Sequence, residues 1–454
     1  MSIMDFSGKK ILVIGAGISG RAAASVLAAH GGKVTLNDMK AIDAADERWR
    51  PLRQAGVTLL FGIQDASLLD GVDILVPSPA ISPEIPIMRE AVRRQIPIWS
   101  EVEVAVRVTD AEILGITGTN GKTTTTTLVG EIMKACGRQT VVGGNIGVGL
   151  SEQAADLPAD AVVVAELSSF QLEFTQTMKA KAAVILNLTP DHLDRHHTME
   201  AYGAAKKRIF RNQDRTDLAV LNYDDPLVRG MAGDMTGNVV YISTQGPVPA
   251  GAFAEKGQLI FREDGIDTVI CREDELKLFG KHNIQNCLAA LLLAHAGGAS
   301  FAVIRQVLKT FNGVEHRLEW VRTLNGVSYY NDSKGTNTDA SIKALEAFPG
   351  HLILIAGGYD KMTPLDAFMS LAAVKVDVLI LIGQAAERFR IAAEKAGVND
   401  IRCVGDSMEK AIMTARKIAK KPQAVLLSPA CSSFDMYDNY EQRGRIFKGI
   451  VNGL

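Results

Sequence analysis

The segment at residues 115–137, GITGTNGKTTTTTLVGEIMKACG, constrains the fold more than any other part of the chain. An apolar run that ends at Thr117 leads into a glycine-rich turn, and apolar residues at helical spacing follow from Leu128. Five consecutive threonines stand where that helix begins, although branching at Cβ makes threonine a poor helix former. The pattern predicts a strand, a tight turn and a helix N-terminus whose unpaired N–H groups favour a bound anion.

The chemistry of this turn resembles that of phosphate-binding loops. Gly121 lies six positions after Gly115, whereas the standard Walker A loop requires five. Lys122 can nevertheless extend along the β- and γ-phosphates as a point charge, and a threonine hydroxyl directly after it is placed to bind Mg²⁺. The other hydroxyls are expected to satisfy backbone groups of the first turn. The alternative interpretation is a threonine-rich helix cap that is exposed to solvent.

Two further strand-end segments offer ligands for a metal ion. AVVVAELSSFQLE ends a buried strand at Glu166, a hard oxygen ligand suited to Mg²⁺. NLTPDHLDRHHT places Asp191 and His192 after another strand, in a loop of the kind where active sites gather. Taken alone, each residue has a structural explanation, and their expected position at one sheet edge is what favours function. His196 and His197 are expected to lie in a solvated loop.

A second glycine-rich turn occurs near the N-terminus, in ILVIGAGISG. Gly15, Gly17 and Gly20 fit the pattern G-x-G-x-x-G between a strand and a helix, and Asp38 ends the next strand. This pattern favours the binding of a nucleotide diphosphate. A nicotinamide-dependent redox role and a purely structural turn are the alternatives.

Short apolar strands alternate with helix-length segments in three successive stretches of the 454-residue chain. The alternation predicts three α/β domains in series, at 1–100, 101–312 and 313–454. Within the second stretch, a polar segment at about 218–275 is expected to be a β-rich insert. KHNIQNCLAALLLAHAGG then predicts a helix that ends at glycines.

Composition excludes several classes of function. A net charge of −2 gives no electrostatic reason to expect nucleic acid or an anionic membrane as a partner. Five scattered cysteines without a C-x-x-C pair argue against a disulfide framework or a zinc site. The apolar N-terminal stretch is short and interrupted by glycine, and no apolar run approaches the length of a membrane span. A cytoplasmic protein is therefore expected.

A set of segments, taken in order, closely resembles the motifs of the muramyl ligase family: GTNGKT, AELSSFQLE, DHLDRH, AAKKRIF, HNIQN, EHRLEW, NDSKGTN and SPACSSFDMYDNYEQRG. The resemblance extends from Gly15 to Arg443 and is weakest over 230–275. The last segment is most similar to the members that add D-glutamate. The resemblance implies a Rossmann-like N-terminal domain that binds UDP, a P-loop-type central domain that binds ATP, and a Rossmann-like C-terminal domain that binds the incoming amino acid.

The reaction implied by this resemblance is an ATP-dependent ligation in peptidoglycan precursor synthesis. The carboxylate of UDP-N-acetylmuramoyl-L-alanine would take the γ-phosphoryl group of ATP, and the amine of D-glutamate would attack the resulting acyl phosphate. ATP and Mg²⁺ are the implied cofactors, the partners are small-molecule substrates, and the enzyme is expected to be a monomer.

The resemblance also assigns roles to individual residues. The implied catalytic residues are Lys122, His192, Lys206 and Lys334. The implied ATP-binding residues are Gly118, Thr119, Asn120, Gly121, Lys122, Thr123, Thr124, Asn283, Asn286, Arg317 and Asp332. Residues implied to bind the UDP-linked substrate are Gly17, Ser19, Gly20, Asp38, Asn145, Ser168, Gln171 and His192. Those implied to surround D-glutamate are Lys334, Thr336, Lys361, Ser433 and Tyr440. The implied metal ligands are Thr123, Glu166, His192 and a carbamylated Lys206, with Lys207 as the neighbouring alternative.

Three other functions remain open from the sequence. The first is a related ATP-dependent amino-acid ligase, either another muramyl ligase or an enzyme similar to folylpolyglutamate synthetase. The second is a Rossmann oxidoreductase, and the third is a nucleotide-binding scaffold protein without catalytic activity.

Overall fold

The computed structural model describes residues 3–278 and 280–454. The chain forms two compact units, one made of residues up to 276 with 281–310 and the other of 277–280 with 311–454. Within the described residues, no helix is both long enough and apolar enough to cross a lipid bilayer.

The N-terminal part of the first unit is a small α/β layer. Its elements are β1 (Lys10–Ile14), α1 (Ile18–Ala29), β2 (Lys33–Asp38), α2 (Arg50–Gln54), β3 (Thr58–Phe61), β4 (Ile74–Pro77), α3 (Pro86–Arg93) and α4 (Glu101–Arg107). The strands are parallel and lie in the order β3, β2, β1, β4. Residues 11–14 of β1 are buried, as expected for a parallel strand that is covered on both faces.

The remainder of the first unit is built on one long sheet. Its strands are β5 (Glu112–Thr117), β6 (Thr140–Gly144), β7 (Val162–Glu166), β8 (Ala182–Ile185), β9 (Leu218–Asn222), β10 (Asn238–Ser243), β11 (Gly251–Glu255), β12 (Gln258–Glu263) and β13 (Ile266–Arg272). They lie in the order β13, β12, β11, β10, β9, β8, β5, β7, β6. Pairing is parallel from β6 through β11, whereas β12 and β13 join in antiparallel fashion. The expected β-rich insert therefore continues the central sheet and does not form a separate layer.

Helices cover this sheet and determine which residues reach its carboxyl edge. They are α5 (Lys122–Ala135), α6 (Leu150–Ala154), α7 (Ser169–Glu173), α8 (Leu193–His196), α9 (Met199–Lys207), α10 (Pro226–Arg229), α11 (Lys281–Ala296) and α12 (Phe301–Thr310). The apolar stripe of α5, which includes Leu128 and Ile132, is fully buried as its spacing predicts. Strand β5 lies between β7 and β8, so the loops that follow these parallel strands meet at one edge.

The second unit is another α/β layer. Its elements are β14 (Glu319–Leu324), β15 (Val327–Asn331), α13 (Thr338–Glu346), β16 (Leu352–Gly357), α14 (Asp366–Lys375), β17 (Val376–Ile382), α15 (Ala386–Ala396), β18 (Ile401–Cys403), α16 (Met408–Ile418), β19 (Ala424–Leu427) and α17 (Tyr440–Asn452). The strand order is β14, β15, β19, β16, β17, β18. All pairs are parallel except β14 with β15, a hairpin whose turn places Asn325 and Gly326 at positive φ.

A buried carboxylate joins two helices of the first unit. The side chain of Glu101, at the start of α4, accepts hydrogen bonds from the backbone N–H (2.6 Å) and the hydroxyl (2.7 Å) of Ser151 in α6. Its Oε2 atom is buried and has no hydrogen-bond partner among the described residues. Burial is the main reason why the pKa of Glu101 is raised to about 7.

We expect Glu101→Gln to flatten the dependence of stability on pH. Because the folded pKa of Glu101 lies above its ordinary value of 4.5, its contribution to stability is complete below that value and is lost as pH rises through about 7. The wild type should therefore lose up to about 3 kcal/mol between pH 5 and pH 8, and the variant should lose less. Glutamine Oε1 can still accept both bonds from Ser151. Denaturant unfolding across this range measures the effect, with Glu263→Gln at the exposed end of β12 as the control. Identical pH profiles for the wild type and Glu101→Gln would contradict it.

Candidate active site

The glycine-rich loop between β5 and α5 has a backbone that only glycine adopts easily. Gly118 and Gly121 have φ values of +145° and +86°. A Cβ atom at Gly121 would lie 2.4 Å from the side-chain oxygen of Asn286. Gly121 is also the N-cap of α5 and has no side chain with which to cap the first turn. The first N–H groups of the helix are therefore available to an anion.

Lys122 is the first residue of α5, and its side chain folds back over the loop. Its ammonium group donates to the carbonyl oxygens of Gly118 at 3.0 Å and Thr119 at 2.8 Å. A positive charge is thus held beside the free end of the helix, where a phosphate would be bound. On the outer side of the loop, the backbone N–H of Asn120 donates to the side chain of Asn187 at 2.8 Å.

The threonines after Lys122 are buried, which corrects two sequence-based interpretations. Thr123, Thr124 and Thr125 lie inside the protein and not in a solvent-exposed cap. The hydroxyl of Thr125 donates to the side chain of Asn286 at 3.2 Å and not to the backbone of its own first turn. Asn286 in turn donates to Asn283 at 3.0 Å. Thr125 therefore forms part of the contact between α5 and α11.

Glu166 ends β7 and is 2% exposed. One carboxylate oxygen accepts a bond from the side chain of Asn145 at 3.1 Å, and the backbone N–H of Asn145 donates to the Glu166 carbonyl at 2.8 Å. The other carboxylate oxygen, Oε2, is buried without a hydrogen-bond partner among the described residues. A buried, unpaired carboxylate oxygen is costly, so this atom fits a position that a cation completes.

Lys206 lies in α9 and is also 2% exposed. Its ammonium group donates to the carbonyl oxygen of Gly118 at 2.9 Å and lies 4.7 Å from the centre of the Tyr202 ring. Burial, reinforced by the charge of Lys122, lowers the pKa of Lys206 to about 7. The adjacent Lys207 lies at the surface and pairs with Asp234 at 2.8 Å. The two consecutive lysines thus occupy opposite environments.

His192 occupies the loop between β8 and α8 with φ = +53°. Its ring is exposed, approaches the Asp191 carboxylate at 3.4 Å and contacts the ring of Phe170. His196 does not lie in a solvated loop, contrary to expectation. Its side chain is buried and hydrogen-bonds the hydroxyl of Ser169 at 2.9 Å, because the short helix α8 turns it inward.

Two residues assigned to the sugar-linked substrate bond to each other. The Ser168 hydroxyl and backbone N–H both donate to the side-chain oxygen of Gln171 at 3.0 Å, and the Gln171 backbone N–H donates back to the hydroxyl at 3.3 Å. This reciprocal arrangement is a capping box at the start of α7. It accounts for both residues structurally and places them directly after Glu166.

The N-terminal glycine-rich turn is tightly packed. A Cβ atom at Gly20 would lie 1.9 Å from the carbonyl oxygen of Gly15, and Gly17 is the N-cap of α1. Ser19 lies in the first turn of α1. The Asp38 carboxylate accepts the backbone N–H of Ala16 at 2.8 Å, so at least one of its oxygens holds the turn in shape.

In the second unit, Asp332 follows β15 and is buried. It accepts bonds from the hydroxyl of Ser428 at 2.7 Å and from the backbone N–H of Leu318 at 3.2 Å. Burial raises the pKa of Asp332 to about 7, while the charge of Arg317 acts in the opposite direction. The assigned pair, Arg317 and Asp332, is therefore close enough to interact within this unit.

The residues assigned to D-glutamate lie on several loops of the second unit. The Lys361 ammonium donates to the carbonyl oxygen of Thr336 at 3.4 Å. The backbone N–H of Lys334 donates to the His316 carbonyl at 2.9 Å. Ser433 is buried in the loop after β19, and Tyr440 begins α17.

Sequence reasoning assigned no role to Arg443, which is fully buried. Its guanidinium group donates to the carbonyl oxygens of Ser333 at 2.8 Å, Cys431 at 3.1 Å and Ser432 at 3.2 Å. It therefore holds together the loops that carry Lys334 and Ser433. The signal was present in the sequence, because Arg443 lies four residues before Phe447 on the buried face of α17.

Tyr202 was missed in the same way. Its ring lies beneath Lys206, and its hydroxyl hydrogen-bonds that of Thr119 at 3.2 Å. Tyr202 and Lys206 are four residues apart on α9 and therefore share a helix face.

Domain profiles match three successive parts of this chain. They are those of the Mur ligase MurD-like N-terminal domain at residues 9–100, the Mur ligase middle domain at 116–294, and the Mur ligase glutamate ligase domain at 316–431. The UDP-N-acetylmuramoylalanine--D-glutamate ligase of Pelotomaculum thermopropionicum is 44% identical over 452 residues, which cover 100% of this chain and 99% of the relative. The chain belongs to the Mur ligase family.

Another relative of this Mur ligase is the UDP-N-acetylmuramoylalanine--D-glutamate ligase of Thermoanaerobacter sp., with 44% identity over 99% of this chain and 100% of the relative. Among solved structures, the UDP-N-acetylmuramate-alanine ligase of Thermotoga maritima aligns with a TM-score of 0.58 at 20% identity, covering 98% of this chain and 99% of that one. A pseudomurein peptide ligase type C from Methanothermus fervidus aligns with a TM-score of 0.57 at 20% identity, covering 98% and 100%.

These similarities confirm the predicted fold of the Mur ligase, with three α/β domains in series. They do not support the Rossmann oxidoreductase, because the N-terminal turn belongs to a Mur ligase domain.

Proposed function

We propose that this Mur ligase joins D-glutamate to UDP-N-acetylmuramoyl-L-alanine and converts ATP to ADP and phosphate. The observation that carries the proposal is the 44% identity, over the full chain, to relatives named for this activity. ATP transfers its γ-phosphoryl group to the substrate carboxylate. The amine of D-glutamate then attacks the acyl carbon, and phosphate leaves as the amide bond forms.

The loop at 118–122 supports the assignment of the ATP phosphates. It combines positive-φ glycines, an open helix N-terminus and the ammonium group of Lys122. ATP and the substrate carboxylate are both anions, so a positive charge is needed to lower their repulsion as the phosphoryl group moves. Lys122 supplies that charge from a fixed position. Asn286 bonds to Thr125 of α5 and to Asn283, and both asparagines are assigned to the adenine side.

Mg²⁺ is the metal proposed for this site. Bound there, it would neutralise phosphate charge. The buried Oε2 of Glu166, which has no hydrogen-bond partner in the part of the chain that the structure describes, fits a hard cation. Thr123, His192 and a modified Lys206 would complete the protein ligands. In the described parts of the chain, no three His, Cys, Asp or Glu side chains converge on a metal-sized site. Phosphate oxygens, water and a lysine carbamate would complete the shell.

The environment of Lys206 supports its carbamylation. A neutral amine attacks CO2, forms an N–C bond and releases a proton, which leaves an anionic carbamate. A lysine whose pKa is near 7 is substantially neutral at physiological pH, whereas Lys207 is held at the surface by Asp234. Modification would also replace a buried positive charge near Lys122 with a metal-binding oxygen anion.

The remaining assignments are proposals of the same kind. Gly17, Ser19, Gly20 and Asp38 form or support the turn proposed to hold the UDP phosphates, and Asn145 links the sugar side to Glu166. In the second unit, the ammonium group of Lys361 would bind a carboxylate of D-glutamate.

We also propose domain boundaries at 100 and 312. We propose that the enzyme acts as a monomer, which sedimentation can test.

We expect a panel of amino acids to single out D-glutamate. With UDP-N-acetylmuramoyl-L-alanine and ATP present, D-glutamate should stimulate ADP formation, whereas L-glutamate, L-alanine, diaminopimelate and D-alanyl-D-alanine should not. A coupled assay of ADP release measures this, with reactions that lack the UDP-linked substrate as the control. Stimulation by L-alanine with UDP-N-acetylmuramate would indicate another Mur ligase. ATP binding without ADP formation for every amino acid would indicate a scaffold protein.

A further inference from the structure

An ion pair in the second unit anchors the loop that carries Lys361. The guanidinium group of Arg388, in α15, donates from Nε and Nη2 to both carboxylate oxygens of Asp360, at 2.7 and 2.6 Å. Its Nη1 atom also donates to the carbonyl oxygen of Thr363 at 3.0 Å. The pair is largely buried, with 13% of the Asp360 side chain and 30% of the Arg388 side chain exposed. A bidentate pair of this kind fixes the relative orientation of the guanidinium and carboxylate groups as well as their distance.

The same loop is held on its other side. The backbone N–H of Tyr359 donates to the carbonyl oxygen of Ser432 at 3.0 Å, and a Cβ atom at Gly358 would lie 2.5 Å from that oxygen. The Asp360 carboxylate also accepts the backbone N–H of Met362 at 2.8 Å. Lys361 therefore stands between two restrained residues, next to the loop that carries Ser433.

Arg388 offsets the negative charge that Asp360 places next to Lys361. Asp360 directly precedes Lys361, and an unpaired carboxylate there would oppose the attraction of Lys361 for an anionic substrate. The hydrogen bonds from Arg388 hold the pKa of Asp360 below its ordinary value, so the carboxylate stays ionised and paired. The three side chains together then carry one net positive charge.

We infer that Arg388 is a positioning residue for the incoming amino acid: in a loop that Tyr359 also anchors to Ser432, its ion pair cancels the charge of Asp360, so that Lys361 attracts a carboxylate of D-glutamate. This inference rests on the proposed function. It assigns to Arg388 a role in amino-acid affinity and not in phosphoryl transfer, because its contacts within the second unit are to the Lys361 loop.

The test separates affinity from turnover. Arg388→Met keeps much of the aliphatic stem but removes the donors. We expect the KM for D-glutamate to rise about tenfold or more, because an unpaired carboxylate beside Lys361 would repel an anionic substrate. The KM values for ATP and UDP-N-acetylmuramoyl-L-alanine, and kcat, should change by less than about threefold. The double variant Asp360→Asn/Arg388→Met should recover most of the lost affinity, because it no longer places an unpaired carboxylate beside Lys361.

Arg390→Met is the matched control, because Arg390 lies on the same helix and pairs only with Glu387 and Glu394 among the described carboxylates. It should leave the KM for D-glutamate unchanged. An unchanged KM in Arg388→Met would overturn the inference, and so would a double variant no better than the single one. A folding defect would persist in the double variant, which lacks the same ion pair, so recovery identifies charge as the cause. If D-glutamate does not stimulate ADP formation by the wild type, the proposed function itself is overturned.

Discussion

Replacing Lys122 by alanine should lower kcat by about 10²–10³-fold or more, the loss expected when one fixed charge is removed from a developing anion. The ammonium group is held over the loop by the carbonyl oxygens of Gly118 and Thr119, so it is already in place before phosphate arrives. Without this ammonium group, less positive charge offsets the repulsion between ATP and the anionic substrate during phosphoryl transfer. Because the charge matters most as the γ-phosphoryl group moves, the effect should fall on kcat more than on the binding of UDP-N-acetylmuramoyl-L-alanine.

The measurement is steady-state ADP release together with isothermal titration of the UDP-linked substrate. Lys134→Ala is the matched control, because Lys134 lies near the other end of α5 and pairs with Glu131 at the surface. It should leave both quantities unchanged. Turnover of Lys122→Ala near that of the wild type would remove Lys122 from the catalytic machinery.

The second large effect is expected at Lys206. Lys206→Ala should reduce kcat by about 10²–10³-fold, because the buried site beside Gly118 loses the proposed anionic ligand. Added short carboxylates such as acetate or propionate should restore part of the activity, since they can supply an oxygen anion to the cavity left by the side chain. Lys207→Ala should behave as the wild type, because Lys207 lies at the surface and pairs there with Asp234.

Rescue is measured as ADP release over a series of carboxylate concentrations, with chloride at equal ionic strength for comparison. Incorporation of isotopically labelled bicarbonate into the wild type, and not into Lys206→Ala, would report the carbamate directly. Carboxylate rescue confined to Lys207→Ala would move the assignment by one residue. Full activity of Lys206→Ala without any additive would refute the role altogether.

The sequence predicted the conformation of the glycine-rich loop before α5 well because the signal there is local. EILGIT forms β5, α5 begins at Lys122, and both glycines adopt positive φ. Each of these outcomes follows from residues close in sequence, through strand periodicity, the conformational freedom of glycine and helix-terminus chemistry. The family resemblance then extended the prediction over the whole chain, and the domain matches confirmed the family and the three α/β domains in series.

The sequence was less informative where the environment of a side chain depends on residues far apart in the chain. His196 was expected in solvent but is buried against Ser169, and the Thr125 hydroxyl bonds to Asn286, far along the chain, instead of its own helix. For the adjacent Lys206 and Lys207, no local sequence signal indicates which side chain is buried. Arg443 and Tyr202 carried a usable signal in their four-residue spacing, but only once the buried face of each helix is known.

By itself, the sequence determined the order of α/β domains, the position of the glycine-rich loop before α5 and the family, because these depend on patterns within short segments and on motifs in series. Only the tertiary structure decided that Lys206 is buried while Lys207 lies at the surface, that one Glu166 oxygen has no hydrogen-bond partner among the described residues, and that Arg388 pairs with Asp360. Each of these depends on which distant groups replace water around a charge. Desolvation and pairing are properties of the folded neighbourhood, not of the neighbouring residues in the chain.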